Sequence, residues 1–127
     1  MEYQELIEHA IEASKNSYSP YSKFAVGACV LTTNGNIYTG CNFENSSFGL
    51  TICAERNAVG SAIAAGEREI KAIAIYSPNS QYCAPCGACR QVLHEFKSKE
   101  GLDVITTGDK GLDVVPIENL LPRGFNL

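Results

Sequence analysis

The stretch CAERNAVGSAIAAGEREIKAIAIYSPNSQYCAPCGACRQVLHEFK, residues 53–97, decides the fold because it predicts a helix, a strand and a second helix. Residues 53–65 are rich in alanine and predict a buried helix that Gly66 ends. The short apolar run 70–76 is typical of a strand. Residues 85–97 then predict the second helix, which begins at a proline and a glycine.

The flanking segments add a helix and a hairpin before this stretch, and two strands and a short helix after it. Apolar residues at helical spacing predict an amphipathic helix over 3–14, and Asn34-Gly35 is the preferred pair for a two-residue hairpin turn. Pro116 suits the first turn of a last helix. The flanking strands are predicted at 24–33, 36–42, 102–107 and 112–115. The order α-β-β-α-β-α-β-β-α implies an α/β fold, a three-layer α/β/α sandwich with a mixed sheet of about five strands.

Length and composition are those of an ordinary globular chain. It has 127 residues, of which 45% are hydrophobic and 19% charged, so we expect one domain over residues 1–127. The net charge of −4 argues against nucleic acid as a partner. No apolar run approaches the roughly 20 residues that span a bilayer, and the acidic start of the chain is unlike a signal peptide. We therefore expect no membrane partner and a cytoplasmic location.

Three cysteines of the quoted stretch have the spacing of a metal site. Cys86 and Cys89 are three residues apart, so both sulfurs lie on one face of a helix, and Cys53 begins the other helix. Two helix N-termini would add partial positive charge that favours thiolates. Zinc prefers sulfur in tetrahedral geometry, and three protein ligands leave the fourth position to water. The predicted cofactor is therefore one zinc ion held by Cys53, Cys86 and Cys89.

Glu55 is the residue that a purely structural zinc site would not require. It lies two residues after Cys53, where its carboxylate can give and take protons beside an activated water without coordinating the metal. Zinc deaminases combine a ligand-x-Glu motif with Pro-Cys-x-x-Cys, and this chain has both. Arg56 is expected to offset the negative charge of the thiolates.

The motifs Cys53-Ala54-Glu55-Arg56 and Pro85-Cys86-Gly87-Ala88-Cys89-Arg90-Gln91 resemble those of cytidine deaminases, in their short homotetrameric form. The resemblance covers nearly the whole chain and includes residues 19–24, 26–28, 40–45 and 120–122. It implies a hydrolase that converts cytidine and 2′-deoxycytidine to uridine and 2′-deoxyuridine with release of ammonia, in pyrimidine salvage. Glu55 would move the protons while water attacks C4 of the base. A homotetramer whose subunits share active sites is also implied.

The resemblance also implies a set of substrate contacts. These are Phe24, Asn42, Glu44, Phe48, Ala54 and Phe125. Asn42 and Glu44 are expected to hydrogen-bond the ribose, because a carboxylate suits a hydroxyl donor. Phe24 would stack near the pyrimidine, and the backbone of Ala54 would contact the base.

Two of the implied contacts, Phe48 and Phe125, are expected to reach the pocket of a neighbouring subunit. Phe48 stands where this family commonly has tyrosine, so any hydrogen bond from that phenol is missing. Without the resemblance, each of these aromatic residues would be interpreted as part of the core.

Other functions remain open at this point. Cys83 could complete a closed structural zinc site or an iron–sulfur cluster, although neither explains Glu55 or the Asn42/Glu44 pair. A deaminase of a cytosine-containing antibiotic such as blasticidin S would share the zinc motifs but would not need Glu44. Deamination of a polynucleotide is disfavoured, because the chain has no basic run that could line a groove.

Overall fold

The structure, a computed structural model, describes all residues from 1 to 127 and contains five strands, four α-helices and one 3-10 turn. In chain order these are α1 (Tyr3–Ser14), β1 (Gly27–Thr32), β2 (Ile37–Cys41), the 3-10 turn (Phe48–Leu50), α2 (Ala54–Ala64), β3 (Ile70–Tyr76), α3 (Gly87–Phe96), β4 (Asp103–Gly108), β5 (Gly111–Pro116) and α4 (Ile117–Leu120). The predicted succession of helices and strands is confirmed. None of the helices has both the length and the apolar character that crossing a membrane requires.

The five strands form one sheet in the order β2-β1-β3-β4-β5. Neighbouring strands are antiparallel except β3 and β4, which are parallel and are joined through α3. A parallel pair needs a crossover connection, and α3 supplies it. The predicted mixed sheet is therefore confirmed.

Side chains of the sheet alternate between two buried clusters, one on each face. On one face, Cys29 and Leu31 of β1 pack with Leu6, Ile7 and Ala10 of α1. On the other face, the alternate positions of β1 pack with residues of α2 and α3. All six residues of β1 are buried because helices cover both of its faces. This confirms the three-layer α/β/α sandwich.

The hairpin between β1 and β2 differs from the prediction of a two-residue turn at Asn34-Gly35. Instead, the Thr32 N–H donates to the Asn36 carbonyl at 2.9 Å and closes a three-residue loop. Gly35 takes a left-handed φ of 85° within it. The buried Glu67 carboxylate explains the difference, because it accepts hydrogen bonds from the side-chain amides of Asn34 and Asn36 at 2.8 and 2.7 Å. The predicted turn type is therefore wrong.

The backbone of α2 packs directly against Gly40 of β2. A Cβ at Gly40 would lie 2.5 Å from the backbone nitrogen of Ala58, so only glycine fits there. The Asn57 side chain donates from Nδ2 to the Cys41 carbonyl at 3.0 Å. These contacts place the N-terminus of α2, which Cys53 caps, beside the end of β2.

Candidate metal centre and substrate pocket

The N-termini of α2 and α3 meet and bring three cysteine sulfurs together. Cys53 is the N-cap of α2 and Cys86 is the N-cap of α3, with Cys89 in the first turn of α3. The Cys53 and Cys86 sulfurs are 3.9 Å apart, and the Cys86 and Cys89 sulfurs are 3.4 Å apart. All three sulfurs lie within 4.8 Å of one another. The predicted ligand group is thus assembled from residues distant in the sequence.

The donor set fits tetrahedral zinc. Zn–S bonds of about 2.3 Å in tetrahedral geometry place two sulfurs about 3.8 Å apart, which is within the spread of distances seen here. Cys83 is half-buried and does not belong to the group of three. A closed site with Cys83 as the fourth ligand is therefore not what the structure presents. The three sulfurs leave one coordination position for a small molecule.

The thiols share protons unequally in the metal-free protein. A hydrogen bond from Cys89 lowers the pKa of Cys53 well below its ordinary value, and the Arg56 guanidinium, whose Nη2 lies 3.5 Å from the Cys53 sulfur, lowers it further. The same hydrogen bond, together with burial, raises the pKa of Cys89. Arg56 therefore contacts one of the three cysteines, and a zinc ion would displace the remaining thiol protons on binding.

Glu55 occupies the first turn of α2, and only 5% of its surface is exposed. Burial is the main reason that its pKa rises from 4.5 to about 7, and the charge of Cys53 also raises it. A carboxyl group with a pKa near neutrality can both accept and donate a proton at physiological pH. Glu55 thus lies beside the three-sulfur group with a pKa that suits proton transfer.

A cavity of about 390 Å³ opens beside the sulfurs and is lined by most of the predicted substrate contacts. Its walls include Phe24, Asn42, Glu44, Ala54 and Glu55, together with Cys53 and Cys86 of the three-sulfur group. A larger groove of about 520 Å³ next to Tyr3 and Asp103 contains none of the three cysteines. The smaller cavity is therefore the candidate substrate pocket.

The amide of Asn42 is held in one orientation by three hydrogen bonds. Its Oδ1 accepts from the Val26 N–H at 3.0 Å and from the Ser17 hydroxyl at 2.5 Å, and its Nδ2 donates to the Phe24 carbonyl at 2.8 Å. An amide nitrogen has two hydrogens, so one remains for a ligand. Sequence reasoning did not identify Ser17, because its contact spans 25 residues.

The carboxylate of Glu44 is fixed in a similar way. Its Oε1 accepts from the backbone N–H groups of Tyr21 and Ser22 at 3.0 and 3.1 Å, and its Oε2 accepts from the Ser22 hydroxyl. The Ser22 hydrogen bond is the main reason that the pKa of Glu44 lies below its ordinary value. Glu44 is therefore ionised at neutral pH and can accept a further hydrogen bond. Ser22 is a second residue that sequence reasoning did not identify, although it lies in the segment 19–24.

Phe48 and Phe125 lie outside this pocket in the single chain. The Phe48 side chain is 72% exposed, with its ring centroid 5.6 Å from that of Tyr21. Phe125 is 68% exposed, and the side-chain amide of Gln91 exchanges two hydrogen bonds with its backbone, at 2.9 and 3.0 Å. The single chain does not bring either ring to the sulfurs, and their contact with a neighbouring subunit stays a prediction.

Comparison with known proteins finds one consistent family. Residues 1–102 match the family described as the cytidine and deoxycytidylate deaminase zinc-binding region. Cytidine deaminase of Sporosarcina psychrophila is 42% identical over 127 residues, covering 99% of this chain and 93% of that protein. Cytidine deaminase of Halalkalibacterium halodurans is 39% identical over 125 residues, covering 98% and 95%.

Solved structures agree with the sequence comparisons. The crystal structure of cytidine deaminase from Burkholderia pseudomallei superimposes with a TM-score of 0.91 at 44% identity, covering 98% of this chain and all of that one. A cytidine deaminase structure from Mycobacterium tuberculosis gives a TM-score of 0.87 at 37% identity. With its three-cysteine group and its sandwich fold, this chain belongs to the cytidine and deoxycytidylate deaminase zinc-binding family of hydrolases.

Proposed function

We propose that this chain hydrolyses cytidine and 2′-deoxycytidine to uridine and 2′-deoxyuridine and releases ammonia. The observation that carries the proposal is the buried Glu55 carboxyl beside a three-sulfur group that opens onto a cavity. Hydrolytic loss of an aromatic amine needs an activated water and a group that can carry protons in both directions. A closed structural zinc site would need neither a cavity nor a carboxyl with a raised pKa.

Residue roles follow from this arrangement. Cys53, Cys86 and Cys89 would hold the zinc ion, which as a Lewis acid would lower the pKa of a water. Glu55 takes a proton from the attacking water and delivers it to N3 of the cytosine ring as the new C4–O bond forms. It then takes the second proton from the oxygen now bonded to C4 and gives it to the amino group, so that the C4=O double bond forms, the C4–N bond breaks and ammonia leaves. Arg56 stabilises the thiolate of Cys53 through their contact at 3.5 Å.

The pocket favours a free nucleoside over a nucleotide. The twelve residues that line the cavity include no lysine, arginine or histidine, while Glu44 and Glu55 are both among them. A phosphate would therefore meet negative charge without a compensating cation. The ionised Glu44 and the free Nδ2 hydrogen of Asn42 suit sugar hydroxyl groups, Phe24 offers an aromatic face, and the backbone of Ala54 lies where it can contact the base. An antibiotic substrate such as blasticidin S does not require the ribose contact and is the weaker alternative.

The proposal includes a homotetramer whose subunits share active sites. Its support is the exposure of Phe48 and Phe125, which leaves both rings free to contact a second copy. The chain would act as one domain over residues 1–127, in the cytoplasm and in pyrimidine salvage. Its six free cysteines suit a reducing compartment.

Subunit sharing can be tested by mixing two inactive chains. Glu55→Gln removes the proton carrier but keeps Phe125, and Phe125→Ala does the reverse. Hybrid oligomers formed by mixing should regain turnover if Phe125 serves a neighbouring pocket. Parent-like turnover of Phe125→Ala, or a fully active monomer by light scattering, would contradict the shared site.

The function itself is tested by measuring bound zinc together with the ultraviolet change on adding substrate. Cytidine and deoxycytidine should be converted, while cytidine 5′-monophosphate and blasticidin S should be poor substrates. Folded, zinc-loaded protein that leaves cytidine unchanged would refute the proposal.

A further inference from the structure

The loop between β3 and α3, residues 77–86, carries a ligand and two pocket walls, yet it has no regular secondary structure of its own. Cys83 and Ala84 line the cavity, and Cys86 belongs to the sulfur group. What holds this loop in place therefore determines where one ligand and part of the pocket lie.

Tyr82 anchors this loop to the turn between β4 and β5, residues 108–111. Its N–H donates to the Thr107 carbonyl at 3.0 Å, and its hydroxyl accepts from the Lys110 N–H at 3.0 Å. The ring lies so close to Gly108 that a Cβ there would overlap its Cε2 atom. Next to it, Gln81 accepts the Asp109 N–H at 2.5 Å. The turn and the loop thus form one packed contact.

The backbone of Tyr82 has an unfavourable conformation that the contact with the β4–β5 turn stabilises. Its φ is 49°, in the left-handed region that a bulky side chain rarely occupies. Such a conformation persists only where the surroundings hold it, and here the ring and both hydrogen bonds do so. Cys83 and Ala84, which line the pocket, follow directly after Tyr82.

The backbone between Tyr82 and Cys86 has little conformational freedom. Pro85 has a fixed φ and a fully buried ring, and Ala84 is restricted because it precedes a proline. The Pro85 carbonyl also accepts a hydrogen bond from Arg90 of α3 at 2.8 Å. A displacement at Tyr82 is therefore passed on to Cys83 and Cys86 rather than absorbed.

We propose that Tyr82, seated against Gly108, is a positioning residue that sets the place of the Cys86 sulfur and of the Cys83–Ala84 wall. The proposal rests on zinc being bound by the three cysteines, and it does not depend on which nucleoside is the substrate. It predicts that the β4–β5 turn controls zinc affinity although it contains no ligand.

The test measures zinc affinity by competition with a chromophoric chelator, far below the melting temperature, for Tyr82→Leu, Tyr82→Phe and Gly108→Ala. Tyr82→Leu keeps bulk but removes the planar ring, and Gly108→Ala places a Cβ into that ring. Each should weaken zinc binding about tenfold or more, the range typical when support of a ligand is lost. Tyr82→Phe, which loses only the bond from Lys110, should weaken it about two- to threefold. Tyr18→Phe, whose exposed hydroxyl donates no hydrogen bond, is the control.

A double variant separates this contact from general destabilisation. Because Gly108→Ala acts on the Tyr82 ring, combining it with Tyr82→Leu should cost less zinc affinity than the two single effects together. The KM for cytidine should also rise in the single variants, since the pocket wall moves. The proposal is overturned if zinc affinity stays parent-like in Tyr82→Phe and also in Tyr82→Leu or Gly108→Ala, provided in each case that the variant folds. A lower melting temperature would not rescue it. If the zinc-loaded parent leaves cytidine unchanged while the variants still bind zinc more weakly than the parent, this inference stands and the proposed function alone is refuted.

Discussion

Replacing Glu55 by glutamine should abolish turnover and at the same time stabilise the metal-free protein. The carboxyl is 5% exposed, and burial raises its pKa from 4.5 to about 7. Glutamine keeps the size of the side chain but can neither ionise nor carry a proton. The substitution therefore separates the effect of the buried carboxyl on the free energy of unfolding from its effect on kcat.

The stability effect follows from the direction of the pKa shift. A carboxyl whose pKa is higher in the folded than in the unfolded chain costs nothing below the unfolded value, and its cost grows as the pH rises through the folded value. Raising the pKa from 4.5 to about 7 corresponds to roughly 3–4 kcal/mol, at about 1.4 kcal/mol for each pH unit. Metal-free Glu55→Gln should therefore match the parent near pH 4 and exceed its stability by up to about 3–4 kcal/mol above pH 7.

Urea unfolding at several pH values measures this difference, and turnover of cytidine by the zinc-loaded protein measures the catalytic loss. Proton transfer by one side chain is worth about 10²- to 10⁴-fold, and the proposed mechanism uses Glu55 for two transfers, so kcat should fall at least a thousandfold. Glu8→Gln on the exposed side of α1 is the matched control and should change neither quantity. A stability difference that does not vary with pH, or a kcat within tenfold of the parent, would refute the reasoning.

Three further substitutions test the site and the packing behind it. Cys83→Ser should keep one zinc ion and most turnover, and loss of the metal on elemental analysis would show that the thiol is a ligand. Glu44→Gln removes an ionised acceptor and should raise the KM for cytidine about tenfold with a smaller change in kcat, because hydrogen bonds to charged groups contribute about 1.5–3 kcal/mol; an unchanged KM in steady-state assays would rule out the sugar contact. Gly40→Ala places a Cβ 2.5 Å from the Ala58 nitrogen and should lower the free energy of unfolding by about 1–3 kcal/mol in urea melts. Parent-like unfolding would mean that α2 can move away from β2 without cost.

The element order and the metal group could be predicted because their signals are local. The sequence predicts that the first helix starts at Cys53 and the second at the segment 85–87, and the structure places Cys53 and Cys86 at the N-caps of α2 and α3. Glu55 follows its ligand by two residues, so its proximity to the sulfurs needs only the first turn of a helix. Such features depend on neighbours within one element.

Contacts between distant segments account for what the sequence did not predict. The turn after β1 depends on Glu67, which lies more than 30 residues further along the chain. The strand predicted to start at residue 24 begins at Gly27, because the Asn42 side chain bonds the Val26 N–H and the Phe24 carbonyl. Tyr82 likewise gains its role from the β4–β5 turn. No pattern around these residues indicates which partner they will meet.

The strands of the sheet differ in burial, and this difference predicts which of them open to solvent first. β1 pairs on both sides and is buried at every position, whereas β5 lies at the edge with most of its residues exposed. Amide hydrogens of β1 can exchange with solvent only when the whole domain unfolds, while those of β5 can exchange through local fraying. Tyr82 packs against the turn that leads into β5. Local opening of the β4–β5 hairpin therefore releases the loop that contains Cys86, at a lower free energy than unfolding of the central strands.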